Sequence, residues 1–404
     1  MADARADRDL DLVLFGATGF TGGLTADYLA DHAPDGMRWA LAGRSPVKLA
    51  AVRDRLAARS PACADLELIT VDIADTETLA QVAARTRVVI TTVGPYLTYG
   101  EPMVAACAQA GTDYVDLTGE PEFVDRMWLA HHATAVKSGA RLVHACGFDS
   151  VPHDLGAFFT VARLSPDLPI RLRGVVRSSG TFSGGTFHSA MTAMSRGREM
   201  KEASRTRRQL ESAPGQTRYS RSVPGKPHRD PLLGYYLLPL PTIDPLIVAR
   251  SAAALPSYGS EFRYSHFAGT KTLRYAAGGA AAVGLLGIAA RIELARDLLL
   301  GRVPAGTGPD EERRERSWFT VDFVAEQSDP NLPHGKPTIV HTRVSGGDPG
   351  YTETAKMLAE SALCLAFDDN PPTAGQVTTA QAMGDHLLDR LQRAGIGFEV
   401  VNDR

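Results

Sequence analysis

Leu12-Val13-Leu14-Phe15-Gly16-Ala17-Thr18-Gly19-Phe20-Thr21-Gly22 joins an apolar run to a turn punctuated by three glycines, and Leu24, Tyr28 and Leu29 follow at helical spacing. An apolar run bounded by glycine predicts a buried parallel strand, and strand, turn and helix in this order predict the opening unit of a doubly wound α/β sheet. In the spacing G-x-x-G-x-x-G, Gly16 makes the tight turn, Gly19 lets the backbone approach a pyrophosphate, and Gly22 lets helix and strand pack closely. The segment Gly16, Ala17, Thr18, Gly19, Phe20, Thr21, Gly22 is therefore the candidate phosphate loop, with the helix N-terminus facing the phosphates.

Working outward, Asp35-Gly36 reads as a turn and residues 39–42 as a second buried strand that closes in Gly43-Arg44-Ser45. A site selective for NAD puts Asp or Glu at that strand end, to hold the ribose 2′-hydroxyl. Arg44 stands there instead. A guanidinium grips a 2′-phosphate bidentately, with Ser45 and Lys48 as further donors, so NADP(H) is the expected cofactor.

The βα rhythm continues. Residues 66–71 read as a third strand ending in Asp72, which suits either contact with an adenine amino group or a capping role, and a helix is predicted over 79–85. Residues 88–93 form the fourth strand and run into Gly94-Pro95-Tyr96, where glycine and proline stop the strand and shape a ligand-facing loop. A helix over 102–110 ends at Gly111, and residues 114–117 and 142–146 are strands five and six. This alternation predicts a doubly wound parallel sheet within residues 1–155. Beyond it, residues 170–177, 318–325 and 338–344 alternate apolar and polar, which predicts half-exposed antiparallel strands of a second, α+β domain over 156–349. A helix over 351–365 and a tail from Met383 to Ala394 follow in the closing segment, 350–404.

Two stretches break this regularity. Residues 195–230 are crowded with arginine and lysine, which reads as a mobile solvated loop or as a docking surface. Residues 275–290 carry no charge and are rich in alanine and glycine, too short for a membrane span. They read as a core or homodimer-contact helix, or as an interfacial, peripheral membrane anchor.

With 404 residues, 44% of them hydrophobic, the chain is long enough for two or more domains. A formal net charge of −3 offers no global attraction to nucleic acid. The four cysteines, Cys63, Cys107, Cys146 and Cys364, have neither zinc-site spacing nor the density of a disulfide framework, which fits a reducing cytoplasm. The first ten residues lack the features of a signal peptide.

The glycine loop, the Ala42-Gly43-Arg44 strand end, Val93-Gly94-Pro95-Tyr96, Tyr114-Val115-Asp116-Leu117-Thr118-Gly119-Glu120 and Cys146-Gly147-Phe148-Asp149-Ser150-Val151-Pro152 together resemble the saccharopine dehydrogenase-like oxidoreductases, most closely the actinobacterial trans-acting enoyl reductases. The resemblance covers nearly the whole chain. It implies a Rossmann NADP-binding domain, an inserted α+β domain and a C-terminal segment packed back on the cofactor domain. It also implies reduction of an acyl chain carried by a polyketide synthase or its acyl carrier protein, in cell-envelope glycolipid assembly. Imine chemistry of the saccharopine reductase kind is the alternative, as is a dinucleotide-binding partner of a membrane or synthase without turnover.

Reducing a conjugated double bond needs a hydride for the β-carbon, a donor for the developing enolate and a proton for the α-carbon. By position, Tyr96 is the first candidate donor, with Tyr99 close by. Asp149 and His153 follow the sixth strand end, and Asp116 and Glu120 the fifth. No metal is anticipated: His131 and His132 are sequence neighbours and point to different helix faces. No nucleophile elbow is present, and Cys146 reads as an inert buried thiol.

Overall fold

The computed structural model describes residues 7–180, 184–211, 218–302, 308–329 and 335–401. Six strands alternate with helices in the first part of the chain: β1 Leu10–Phe15, β2 Trp39–Gly43, β3 Glu67–Thr70, β4 Thr86–Thr91, β5 Asp113–Asp116 and β6 Arg141–Val143. The later strands are β7 Ile170–Ser178, β8 Tyr219–Ser222, β9 His228–Arg229, β10 Tyr236–Pro239, β11 Glu261–Thr270, β12 Phe319–Gln327, β13 Thr338–Gly346, β14 Gly375–Val377 and β15 Gly397–Val400. The first sheet has seven parallel strands in the order β14-β6-β5-β4-β1-β2-β3. Its strand order reverses between β1 and β4, which opens a crevice at their carboxyl ends. Phe15 is in register with Ala42 of β2 and Thr91 of β4, so the segments that begin at Gly16, Gly43 and Thr92 leave the sheet side by side.

β1 is buried at every position, as its apolar run requires. The helix Phe20–His32 packs on one face with the C-terminal helix Thr352–Phe367, where the Tyr28 hydroxyl donates to Glu360 Oε1 at 2.7 Å. The C-terminal residues serve both sheets: β14 extends the parallel sheet beside β6, whereas β15 lies beside β13 at the edge of the second sheet.

The second sheet runs β15-β13-β12-β7-β11-β10-β9, with β8 also paired to β11. It is mixed rather than purely antiparallel, because β7 and β11 are parallel from Ile170–Phe262 to Val176–Ala268. The connection between them carries the helices Gly184–Ser195, Gly197–Glu211 and Asp244–Ala254, ample for a parallel crossover. Helix Val151–Val161, directly after β6, joins the two sheets. A Cβ on Gly156 would come within 2.2 Å of the Phe323 ring of β12, so glycine sets how closely this helix lies on the second sheet. Asp154, in its first turn, accepts hydrogen bonds from the Thr379 hydroxyl at 2.7 Å, the Ala380 amide at 2.9 Å and the Ser251 hydroxyl.

Both irregular stretches need correction. Within 195–230, residues Gly197–Glu211 are a helix rather than a solvated loop. Arg207 is buried and ion-paired to Asp125 of helix Pro121–Ser138, and Arg196 Nη2 meets Glu122 Oε1 of the same helix at 2.7 Å. Composition shows the charge but not the acidic helix that receives it. Residues 275–290 lie in helix Leu273–Ala289 and just beyond it, and no described side chain of that helix is buried. It is not a core helix of this chain.

Candidate active site

Gly16 follows β1 with φ +99°, a conformation natural to glycine. A Cβ on Gly22 would lie 2.1 Å from the Gly16 carbonyl oxygen, so the first turn of helix Phe20–His32 closes on the loop only with glycine there. Gly19 differs. Its Cβ would meet nothing closer than 3.4 Å, and its amide donates to the Gly16 carbonyl at 3.0 Å. No neighbour within the protein demands glycine there, but a phosphate drawn to the helix N-terminus would.

These residues wall a cleft of about 280 Å³. Phe15, Gly16, Thr18 and Gly19 form one side, Gly43, Arg44 and Ile73 another, and Thr92, Val93, Gly94 and Tyr99 the third. Arg44 is exposed at the end of β2, with its guanidinium available to an anion. The remaining candidates take supporting places. Ser45 Oγ accepts from the Lys48 amide at 3.4 Å as the N-cap of helix Pro46–Arg59. Asp72 accepts from the Ala74 amide at 2.9 Å, and its neighbour Ile73 faces the cleft. Ala17 is buried, the Phe20 ring packs edge-on against Tyr351 at 4.9 Å, and the Thr21 carbonyl accepts from Thr25. The side chains of Ala17 and Phe20 thus shape the loop from behind.

The Gly94-Pro95 loop is pinned by Glu120, whose carboxylate accepts from the Tyr96 amide at 3.1 Å and the Leu97 amide at 2.9 Å. Tyr96 does not face the cleft. Its ring is buried, and its hydroxyl donates to the Thr91 carbonyl and accepts from the Leu117 amide, both at 3.1 Å. Burial raises its pKa well above the usual range. The expectation of Tyr96 as proton donor is therefore corrected: it braces β4 against β5, and Tyr99, one helical turn on and 43% exposed, lines the cleft. Asp116 is likewise structural, accepting from the Thr118 and Ala145 amides and pairing with His144 Nδ1 at 2.7 Å.

Asp149 and His153 lie past β6, two strands across from β4, or about 10 Å at the usual strand spacing. His153 is fully enclosed. Its Nδ1 lies 3.0 Å from Asp244 Oδ1, and Asp244 Oδ2 lies 3.4 Å from His266 Nε2. Tyr264 Oη and His266 Nδ1 share a hydrogen bond of 2.9 Å, Thr242 donates to Asp244, and the Phe148 ring packs on His153 at 5.2 Å. Burial disfavours charge throughout this group, and the pairings decide where charge remains. Against burial, Asp244 is held down at about 2 by His153 and His266, and His153 is raised by Asp244. Burial pushes His266 down to about 4. Asp149 keeps partial exposure, yet burial together with the Asp244 charge pushes its carboxyl up to about 7.

Asp244 and His266 escape a reading of the sequence, since Asp244 looks like an ordinary helix start before Pro245 and His266 like one polar position of a strand. Ligand atoms of His153, Asp244 and His266 lie within 4.8 Å of one another, a convergence of three separate elements that spacing along the chain does not reveal. The same atoms balance charge among themselves.

Residues 12–143 match the family described as saccharopine dehydrogenase NADP binding domain. The Mycobacterium tuberculosis protein Rv2449c, provisionally named a trans-acting enoyl reductase, is 39% identical over 98% of each chain. A trans-acting enoyl reductase of Mycobacterium bovis is 38% identical over 97% of each chain. Among solved structures, apo saccharopine dehydrogenase (L-Glu forming) from Saccharomyces cerevisiae aligns with a TM-score of 0.57 at 12% identity, over 97% of this chain and 100% of that one, which is a likeness of fold. The glycine-lined cleft and identity of this extent lead to one assignment: the chain belongs to the trans-acting enoyl reductase family, and it is an NADP-dependent oxidoreductase on a saccharopine dehydrogenase-like fold.

Proposed function

We propose that the protein reduces the α,β double bond of an acyl thioester, in trans, on a substrate carried by a separate polyketide synthase or its acyl carrier protein. The observation that carries this reading is full-length identity to relatives named for that activity, joined to a cleft whose walls fit a dinucleotide: Gly19 leaves room for a pyrophosphate and Arg44 stands ready for a 2′-phosphate. NADPH, when bound, supplies the hydride. The chain's own residues position and protonate. Glu120 holds the Gly94-Pro95 loop at the carboxyl end of β4, where the nicotinamide half belongs. Tyr99 offers a hydroxyl to the developing enolate oxygen. Asp149, whose carboxyl burial and the Asp244 charge raise to about 7, is the proton source for the α-carbon. The proposed setting is assembly of a cell-envelope lipid.

The test is NADPH oxidation by the purified protein against two panels, enoyl thioesters and amino acid plus aldehyde pairs. Turnover of the enoyl panel is expected. Turnover confined to the second panel would instead assign imine reduction, and NADPH binding with neither activity would make the protein a non-catalytic synthase partner.

A further inference from the structure

Helix Leu273–Ala289 presents a physical contradiction. After Arg274 it carries no charged residue, yet eight of the described residues that follow in the helix are exposed and none is buried. Leu273, Tyr275, Leu285 and Ile288 are between 61% and 68% exposed, and Leu294 and Leu298 of the following helix Glu293–Arg302 are 83% and 58% exposed. Single exposed apolar residues are ordinary, but a run of this size needs a cover. A helix that is apolar on all sides belongs in an apolar medium.

The charges narrow the medium. From Lys271 to Arg302 there are five cationic residues against two acidic ones, Glu293 and Asp297. Lys271 and Arg274 stand at one end of the first helix, and Arg291 and Arg296 follow the other. At 17 residues this helix is about 25 Å long, short of the roughly 30 Å hydrocarbon core, and the next helix leaves it at a bend of 117°. Among the described residues no single helix is long and apolar enough to cross a membrane. With cations at both ends, a length short of the hydrocarbon core and a sharp bend into a second, charged helix, the first helix meets headgroups at both of its ends by lying along the membrane plane.

We infer that helices Leu273–Ala289 and Glu293–Arg302 form a peripheral membrane anchor, lying flat in one leaflet of an anionic bilayer with Lys271, Arg274, Arg291 and Arg296 at its headgroups. The inference is independent of the reaction proposed above, because it concerns a surface remote in sequence from the cleft and its readout is binding alone.

The test uses the full chain and two kinds of vesicle, pure phosphatidylcholine and phosphatidylcholine with phosphatidylglycerol. Co-sedimentation with the anionic vesicles is expected, at least about tenfold stronger than with the neutral ones and weakened by added salt. The double substitution Leu285→Glu, Ile288→Glu should abolish it while NADPH binding is retained, and Arg274→Gln with Arg291→Gln should remove the anionic preference. In a Leu285→Trp variant, the tryptophan emission should shift to the blue when anionic vesicles are added. Wild-type protein that stays in the supernatant with anionic vesicles overturns the inference, as does undiminished binding by the Glu double variant. A stable dimer that needs no lipid and is split by that double substitution would overturn it in favour of a subunit contact.

Discussion

The hydroxyl of Tyr96 accepts a hydrogen bond from the Leu117 amide at 3.1 Å, across the end of the β4–β5 pair, while donating to the Thr91 carbonyl. Both capacities of the phenol are used inside the protein. Tyr96→Phe leaves a buried amide and a carbonyl without their partner, so a stability loss of about 1 to 3 kcal/mol is expected in denaturant unfolding, with the chemical step little changed. Tyr99→Phe should do the reverse, lowering kcat and leaving the unfolding midpoint in place. A large kcat loss in Tyr96→Phe at unchanged stability would return the phenol to the chemistry.

Arg44 decides between the two dinucleotides. Wild-type protein is expected to bind NADPH more tightly than NADH, and Arg44→Ala should narrow the gap by about 1 to 3 kcal/mol, the worth of a charge-assisted contact. Calorimetric titration with each cofactor measures it. Equal affinities in the wild type would defeat the assignment.

Gly19 and Gly22 should fail differently. Gly19→Val puts a branched side chain where the protein itself leaves room, so NADPH binding should vanish while the far-UV spectrum and thermal midpoint persist. Gly22→Ala brings a Cβ to 2.1 Å from the Gly16 oxygen and should reduce stability first. Normal NADPH binding by Gly19→Val would show the phosphate loop to be elsewhere.

Asp149 gives the system its pH dependence. Its carboxyl, raised to about 7, must be protonated to donate, so kcat/KM should be level below that pH and fall by about tenfold per unit above it. In stability the sign is the opposite of the usual carboxylate. Between the unfolded value near 4 and about 7, the native state holds a proton that the unfolded chain has released, so stability falls as pH rises through this window. Asp149→Asn should therefore lower the rate and leave the residual activity without the alkaline limb, and its thermal midpoint should gain on the wild type progressively from about pH 4 to about 7. A midpoint difference that does not change with pH would show that Asp149 titrates normally.

Arg207 and Arg205 separate structure from surface within the basic helix. Arg207→Ala strands the buried Asp125 and should cost about 3 to 5 kcal/mol in chemical denaturation, while exposed Arg205→Ala should stay within about 0.5 kcal/mol. Similar values for the two would remove the structural role assigned to the buried pair.

The chain's own order of residues determined the parallel sheet, the glycine loop and the choice of Arg44 over an acid, because each depends on neighbours in sequence: an apolar run that must be buried, a turn only glycine makes, a side chain at a strand end. The direction of Tyr96 was not legible, since a phenol after Gly94-Pro95 can turn to the cleft or to β5, and the Leu117 amide that draws it inward lies on another strand. Only the tertiary structure brought Asp244 and His266 to His153, buried Arg207 against Asp125, carried β15 across to the second sheet and left Leu273–Ala289 exposed. In each case the deciding partner comes from a distant part of the chain. Burial, pairing and proton affinity are properties of what surrounds a side chain, whereas periodicity and turn chemistry reside in the chain itself.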